Sequence, residues 1–175
     1  LDDAACSDNV SEDGSGVQMP DDNLRASKDV DSRYYSAGDT LTYTIRIDND
    51  GDGFANMVPV VDEISVLETV STTGKLIPAF LSWEITAEAY RSDGSAATST
   101  DTGISGTLTN PDDLNVLATL EPHSYIIYTI KAKTHPLANG HIQNSVTVDG
   151  TVYADRGSDP RDFSLQMSKA VKTNN

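Results

Sequence analysis

Residues 36–64 read SAGDTLTYTIRIDNDGDGFANMVPVVDEI, two alternating runs separated by an Asp/Gly loop. In the first run Leu41, Tyr43, Ile45 and Ile47 fall on one side and Thr42, Thr44 and Arg46 on the other, the period of a half-buried strand. Gly38-Asp39 opens the run, and the polar sequence Asp48-Asn49-Asp50-Gly51-Asp52-Gly53 closes it. The second run sets Val58, Val60, Asp62 and Ile64 against Pro59, Val61 and Glu63. Its apolar side therefore carries a carboxylate, Asp62, in a register that predicts burial.

The same period recurs outward from this stretch. Leu24, Ala26, Lys28 and Val30 alternate with Arg25, Ser27 and Asp29, predicting a first strand with a lysine on its core side. Downstream, Leu81, Trp83, Ile85, Ala87 and Ala89 form one row, which makes Trp83 a core residue. Residues 91–113, rich in Ser, Thr, Asp and Gly, read as a loop with one short strand near Ile104 to Leu108. Leu114 to Leu120 is a further strand, and Ile126, Tyr128, Ile130 and Ala132 line the core side of the next. Ile142, Asn144, Val146 and Val148 then alternate with Gln143, Ser145 and Thr147, again with one polar residue in the apolar row. Strand formers at this spacing, without a long window of helical periodicity, predict an all-β chain folded as an antiparallel sandwich of about eight or nine strands.

Three regions follow: an acidic extension over 1–23, the sandwich over 24–154, and a linker with a terminal strand over 155–175. The extension holds seven acids and no Lys or Arg, a composition that orders only against its own domain or a neighbouring subunit. Phe163, Leu165 and Met167 alternate in the terminal strand, which suits strand addition to the domain's own sheet or to a neighbour's. These extended termini make a homopolymer the expected partnership.

The chain carries 27 acidic against 12 basic residues, a formal charge of −15. That charge repels phosphate backbones and argues against nucleic acid. No apolar run approaches the roughly 20 residues of a membrane span, and a numbering that starts at Leu1 suggests a removed targeting segment, so secretion is the expectation. The single cysteine, Cys6, excludes an internal disulfide and leaves a thiol that is inert or pairs with another chain. Asp3-Ala4-Ala5-Cys6 departs from a lipoprotein cleavage box, with Asp3 where Leu is wanted.

Spacing bears on several chemistries. Asp48, Asp50 and Asp52 followed by Gly53 match the first half of a calcium loop, but Pro59 stands where its bidentate Glu belongs. Calcium is thus a candidate ligand, ordinary turn chemistry is the alternative, and no cofactor is required. His123, His135 and His141 fall in or beside predicted turns without zinc spacing. There is no G-x-S-x-G, Gly-rich phosphate loop or Cys/His arrangement, so an enzyme acting on an external substrate is not expected.

Lys28, AGDTLTYTIRIDNDGDG, VVDEI, LEPHSYIIYTIKAK and IQNSVTV, in this order, resemble the immunoglobulin-like family catalogued as "domain of unknown function eleven" over residues 24–150. The resemblance implies an immunoglobulin-like fold and a secreted repeat or stalk domain of bacterial and archaeal surface proteins, without catalysis toward a substrate. A structural subunit of an extracellular filament, stalk or matrix is therefore the expected function. An adhesin or carbohydrate-binding sandwich is the alternative, weakened because Tyr34, Tyr35 and Tyr90 are scattered and Trp83 and Tyr128 lie in the core register.

Lys28, Asp62 and Asn144 share one oddity: each is polar in an apolar row. If Lys28 and Asn144 lie on neighbouring strands and Asp62 approaches from the facing sheet, the trio resembles the constellation that forms an isopeptide bond within bacterial surface domains. The Lys28 amine would attack the Asn144 side-chain carbonyl, with Asp62 polarising it and shuttling protons. A hydrogen-bonded polar trio, or a bulge turning one of them outward, accounts for the same pattern.

Overall fold

The computed structural model describes residues 22–161 and is a β-sandwich of the immunoglobulin-like type. One sheet takes β1 (Leu24–Val30), β3 (Thr40–Asn49), β10 (Ser124–Thr134), β7 (Phe80–Arg91) and β8 (Leu108–Thr109), in that lateral order. The other takes β12 (Thr151–Ala154), β11 (Ser145–Val148), β4 (Ala55–Asp62) and β9 (Leu114–Leu120). Every pairing within these two sheets is antiparallel. Two short pairs complete the architecture: β5 (Glu68–Val70) with β6 (Leu76–Pro78), and β2 (Tyr34–Tyr35) in parallel with β13 (Asp159–Pro160). Among the described residues the helical content is one 3-10 turn, Ile64–Val66.

Alternation explains where the core sits. Leu41, Tyr43, Ile45 and Ile47 of β3 and Ile126, Tyr128, Ile130 and Ala132 of β10 are buried, and they join Val58, Val60, Leu114, Ala118, Val146 and Val148 of the other sheet in one cluster. Each buried aliphatic or aromatic side chain is worth about 1.5–3 kcal/mol, so this shared interior holds the sheets together. Trp83 belongs to it, and its indole N–H donates to Asp112 O at 2.7 Å. That bond, together with Tyr128 Oη donating to Thr102 O at 2.6 Å, fastens the 91–113 segment to the sandwich.

The structure corrects the expected pattern in three places. Leu81, expected in the core, is 53% exposed; β10 pairs Lys133 with Ser82 but Thr134 with Phe80, so Leu81 is bulged out and Phe80 takes the interior position. The second run of the opening stretch starts earlier, at Ala55, because a register shift between Ala55 and Val58 accommodates Met57, whose φ is 51°. The boundary expected at residue 154 also moves. Asp155 and Ser158 are buried, Arg156 Nη2 donates to Val30 O at 3.0 Å, and Arg161 N donates to Tyr35 O at 2.9 Å. The polar side chains of Asp155, Arg156 and Ser158 bond to backbone of the domain, in a stretch that a composition reading mistakes for a linker. The extension over 1–21, with Cys6, and the terminal strand of Phe163, Leu165 and Met167 lie outside the described residues.

Candidate functional site

Lys28 sits opposite Ile45 in the β1–β3 pair, on the inward side of its strand. Asp62 is the last residue of β4, and Asn144 immediately precedes β11, the neighbour of β4. All three are buried, and the Lys28 and Asp62 side chains have no exposed surface. The sequence expectation placed Lys28 beside Asn144 and Asp62 on the facing sheet. The arrangement differs: Asp62 and Asn144 come from the four-stranded side, and Lys28 reaches across from the five-stranded sheet.

The Lys28 ammonium is hydrogen-bonded to Asp62 Oδ2, and Asn144 Nδ2 donates to the same oxygen at 3.3 Å. Asn144 Oδ1 turns away from Asp62 and accepts the Ser145 backbone N–H at 2.9 Å. Asp62 is therefore placed to exchange protons with both nitrogens, and it does not touch the carbonyl oxygen it was expected to polarise. The Tyr43 ring lies 5.1 Å from Lys28 Nζ. Among the described residues, Asp62 Oδ1 and the Tyr43 hydroxyl are buried without a hydrogen-bond partner.

Burial governs the ionisation of this group. It pulls the Lys28 pKa below the usual lysine range, against the opposing charge of Asp62, and pushes the Asp62 carboxyl up, against the Lys28 charge and the two hydrogen bonds. Both shifts favour the neutral forms, amine and carboxylic acid. The Tyr43 hydroxyl, also raised by burial, stays protonated.

The carboxylates of the acidic loop are engaged by neighbouring side chains. Asp48 pairs with Arg46 at 3.0 Å, Asp50 with Arg25 at 2.5 Å, and Asp52 lies 2.7 Å from His123 Nε2. The three carboxylates thus face three separate side chains, Arg46, Arg25 and His123, and no group of three or more His, Cys, Asp or Glu is placed together among the described residues. Asn49, which the sequence shows only as one polar residue of the loop, organises the turn: its Nδ2 donates to Gly53 O at 2.8 Å and to Leu120 O at 3.2 Å. His141 pairs with Asp159 at 2.7 Å, and His135 Nδ1 accepts the Leu137 N–H at 3.0 Å.

Among the described residues, the aromatic side chains do not form an open platform. Tyr35 is buried, with its hydroxyl donating to Gly140 O at 2.5 Å, while Tyr34 is exposed. Tyr90 stands directly across from Tyr125, ring centroids 5.5 Å apart, and the Arg46 guanidinium covers Tyr125 at 3.9 Å.

No family model matches the chain, and no curated protein matches it. Among solved structures, a family 123 glycoside hydrolase from Clostridium perfringens is similar at TM-score 0.45 and 15% identity, over 80% of this chain and 28% of that one. The alkylpurine DNA glycosylase AlkC of Pseudomonas fluorescens gives 0.41 and 9%, over 79% and 30%. The CARDB domain of the PF1109 protein from Pyrococcus furiosus, solved with di-metal ions, gives 0.37 and 12%, over 82% and 90%. The chain spans under a third of the first two proteins. At these scores the likenesses say nothing of function. No helix among the described residues is long and apolar enough to cross a membrane.

Proposed function

We propose that this domain is a structural module of an extracellular filament, stalk or matrix, of the surface-repeat kind its motifs resemble, cross-linked by an isopeptide bond between Lys28 and Asn144. The observation that carries the cross-link is the shared oxygen: Asp62 Oδ2 receives both the attacking nitrogen, Lys28 Nζ, and the leaving nitrogen, Asn144 Nδ2. Desolvation and the unpartnered Oδ1 disfavour the Asp62 anion, so a proton passes from the Lys28 ammonium to Asp62 and frees the amine. Nζ then bonds to the Asn144 side-chain carbon. Asp62 delivers its proton to Nδ2, takes a second from Nζ, and the bond to Nδ2 breaks. The products are a secondary amide, a protonated Asp62 and one ammonia, which balances the atoms and charge of the starting pair.

The chain acts on itself once in this reading and turns over no external substrate. Extracellular location and self-association through the termini are part of the same proposal, supported by the resemblance, the strongly acidic composition and the alternation of Phe163, Leu165 and Met167. Intact mass of the folded chain tests the bond. Wild type should be lighter than its sequence by one ammonia, with a branched Lys28–Asn144 peptide after digestion, and Lys28→Ala or Asp62→Ala should restore full mass. A wild-type chain of full mass would refute the cross-link.

A further inference from the structure

The reaction depends on which way the Asn144 amide faces, because exchanging Oδ1 and Nδ2 would point the leaving group away from its proton source. Two contacts select the same orientation. Asp62 Oδ2 already accepts from Lys28 and calls for a donor, Nδ2, while the Ser145 N–H can only donate and calls for Oδ1. As Nζ attacks, the electron pair of the carbonyl moves onto Oδ1, where the Ser145 N–H awaits it at 2.9 Å. A backbone amide fixed at the site of developing negative charge is the arrangement that lowers such a barrier most.

The direction of that N–H follows from the backbone of Asn144, and one side chain holds it. Asn144 N–H donates to Asp155 Oδ2 at 2.9 Å, and Asp155 N–H returns a bond to Asn144 O at 3.0 Å. Gln143 Nε2 also donates to Asp155 O at 2.7 Å. Asp155 is 3% exposed, and its other oxygen accepts the Gly157 N–H. Gly157 has a φ of +80°, and a Cβ there would lie 2.4 Å from the His141 ring, so this turn favours glycine. We infer that Asp155 is the positioning residue of the cross-linking reaction: it clamps residue 144 so that the Ser145 N–H receives the oxyanion and Nδ2 stays against Asp62.

This inference rests on the isopeptide reading. Asp155 contributes in a second way as well, since its negative charge supports the protonated form of Lys28. The groups acting on the Lys28 ammonium are Asp62 from β4, the Tyr43 ring from β3 and Asp155 after β12. Neutralising Asp155 should therefore slow the reaction through misalignment while moving its rise with pH to lower pH.

The full chain would be kept unfolded in urea, diluted into buffer at a series of pH values, and sampled by intact mass. Asp155→Asn should close at least about tenfold more slowly than wild type, a fraction of the loss expected when an oxyanion donor is removed altogether. Its rate profile should shift to lower pH. Ser145→Pro, a substitution tolerated at a strand's first residue, removes the donor and should slow closure without moving the profile. Introducing Asp155→Asn into a Lys28→Ala chain measures its effect on folding where no bond can form. Closure of Asp155→Asn at the wild-type rate, or slower closure with an unmoved profile, would overturn the inference. Wild type that never loses ammonia would instead remove the reading on which it rests, an outcome visible without any Asp155 variant.

Discussion

Lys28 and Asp62 are each driven toward neutrality by burial and each held back by the other, so removing one exposes the preference of its partner. In Lys28→Met the lone Asp62 keeps a raised pKa. The folded state then binds a proton more tightly than the unfolded state, and stability falls as pH rises from the ordinary carboxylate range toward the raised value. In Asp62→Asn the lone Lys28 has a lowered pKa, so stability rises with pH up to the ordinary lysine range. Urea unfolding at several pH values should show these opposite slopes. Near neutral pH each variant should lie about 3–5 kcal/mol below Lys28→Met combined with Asp62→Leu, which lacks the cross-link too but strands no charge. Lys28, Asp62 and Asn144 were legible because a polar residue in an apolar row is conspicuous. Asp155 was not, because its neighbours are polar too and nothing in one dimension separates a buried clamp from a solvated linker.

At the scale of elements, the long strands follow from alternation, while the breaks in it do not. Phe80 and Leu81 are both apolar, so no pattern says which one faces inward; pairing with Thr134 decides. Elements of two or three residues, such as β2, β13, β5 and β6, are too short for a period to register. The β11–β12 hairpin did carry a signal, Asp149-Gly150, whose positive φ angles of 49° and 80° fit the tight turn that Asp-Gly favours. Gly103 offers a test of how the 91–113 segment meets β9. Its φ is +79°, and a Cβ would lie 2.6 Å from Val116 Cβ. Gly103→Ala should cost about 2 kcal/mol through strain and overpacking, read as a lower urea midpoint at unchanged m.

For the whole molecule, the sandwich was legible because its two main sheets obey one rule of burial, and the partition of the trio was not. Alternation says which residues point inward; it does not say which sheet they come from, and so cannot show that Asp62 and Asn144 share one. A bond from β1 to the start of β11 closes most of the described chain into a single loop. Loops of this size restrict the unfolded ensemble by about 4–5 kcal/mol in the chain-entropy account. The comparison requires a partner without a stranded charge, such as Lys28→Met combined with Asp62→Leu. Wild type should exceed that double variant by about 4 kcal/mol in urea unfolding, with a smaller m because its unfolded state stays compact.

The position of Lys28 and Asn144 along the chain also decides how the domain behaves under tension. With the bond formed, a pull entering before β1 passes through the covalent bridge and leaves along the segment after Asn144. Everything between those two residues, including β3, β4, β7, β9 and β10, lies off the load path. The contour that force can release is confined to β11, β12, β13 and the few residues preceding Lys28, and the parallel β2–β13 pair would meet that force in shear. A module wired in this way transmits load as a short tether while its core stays folded.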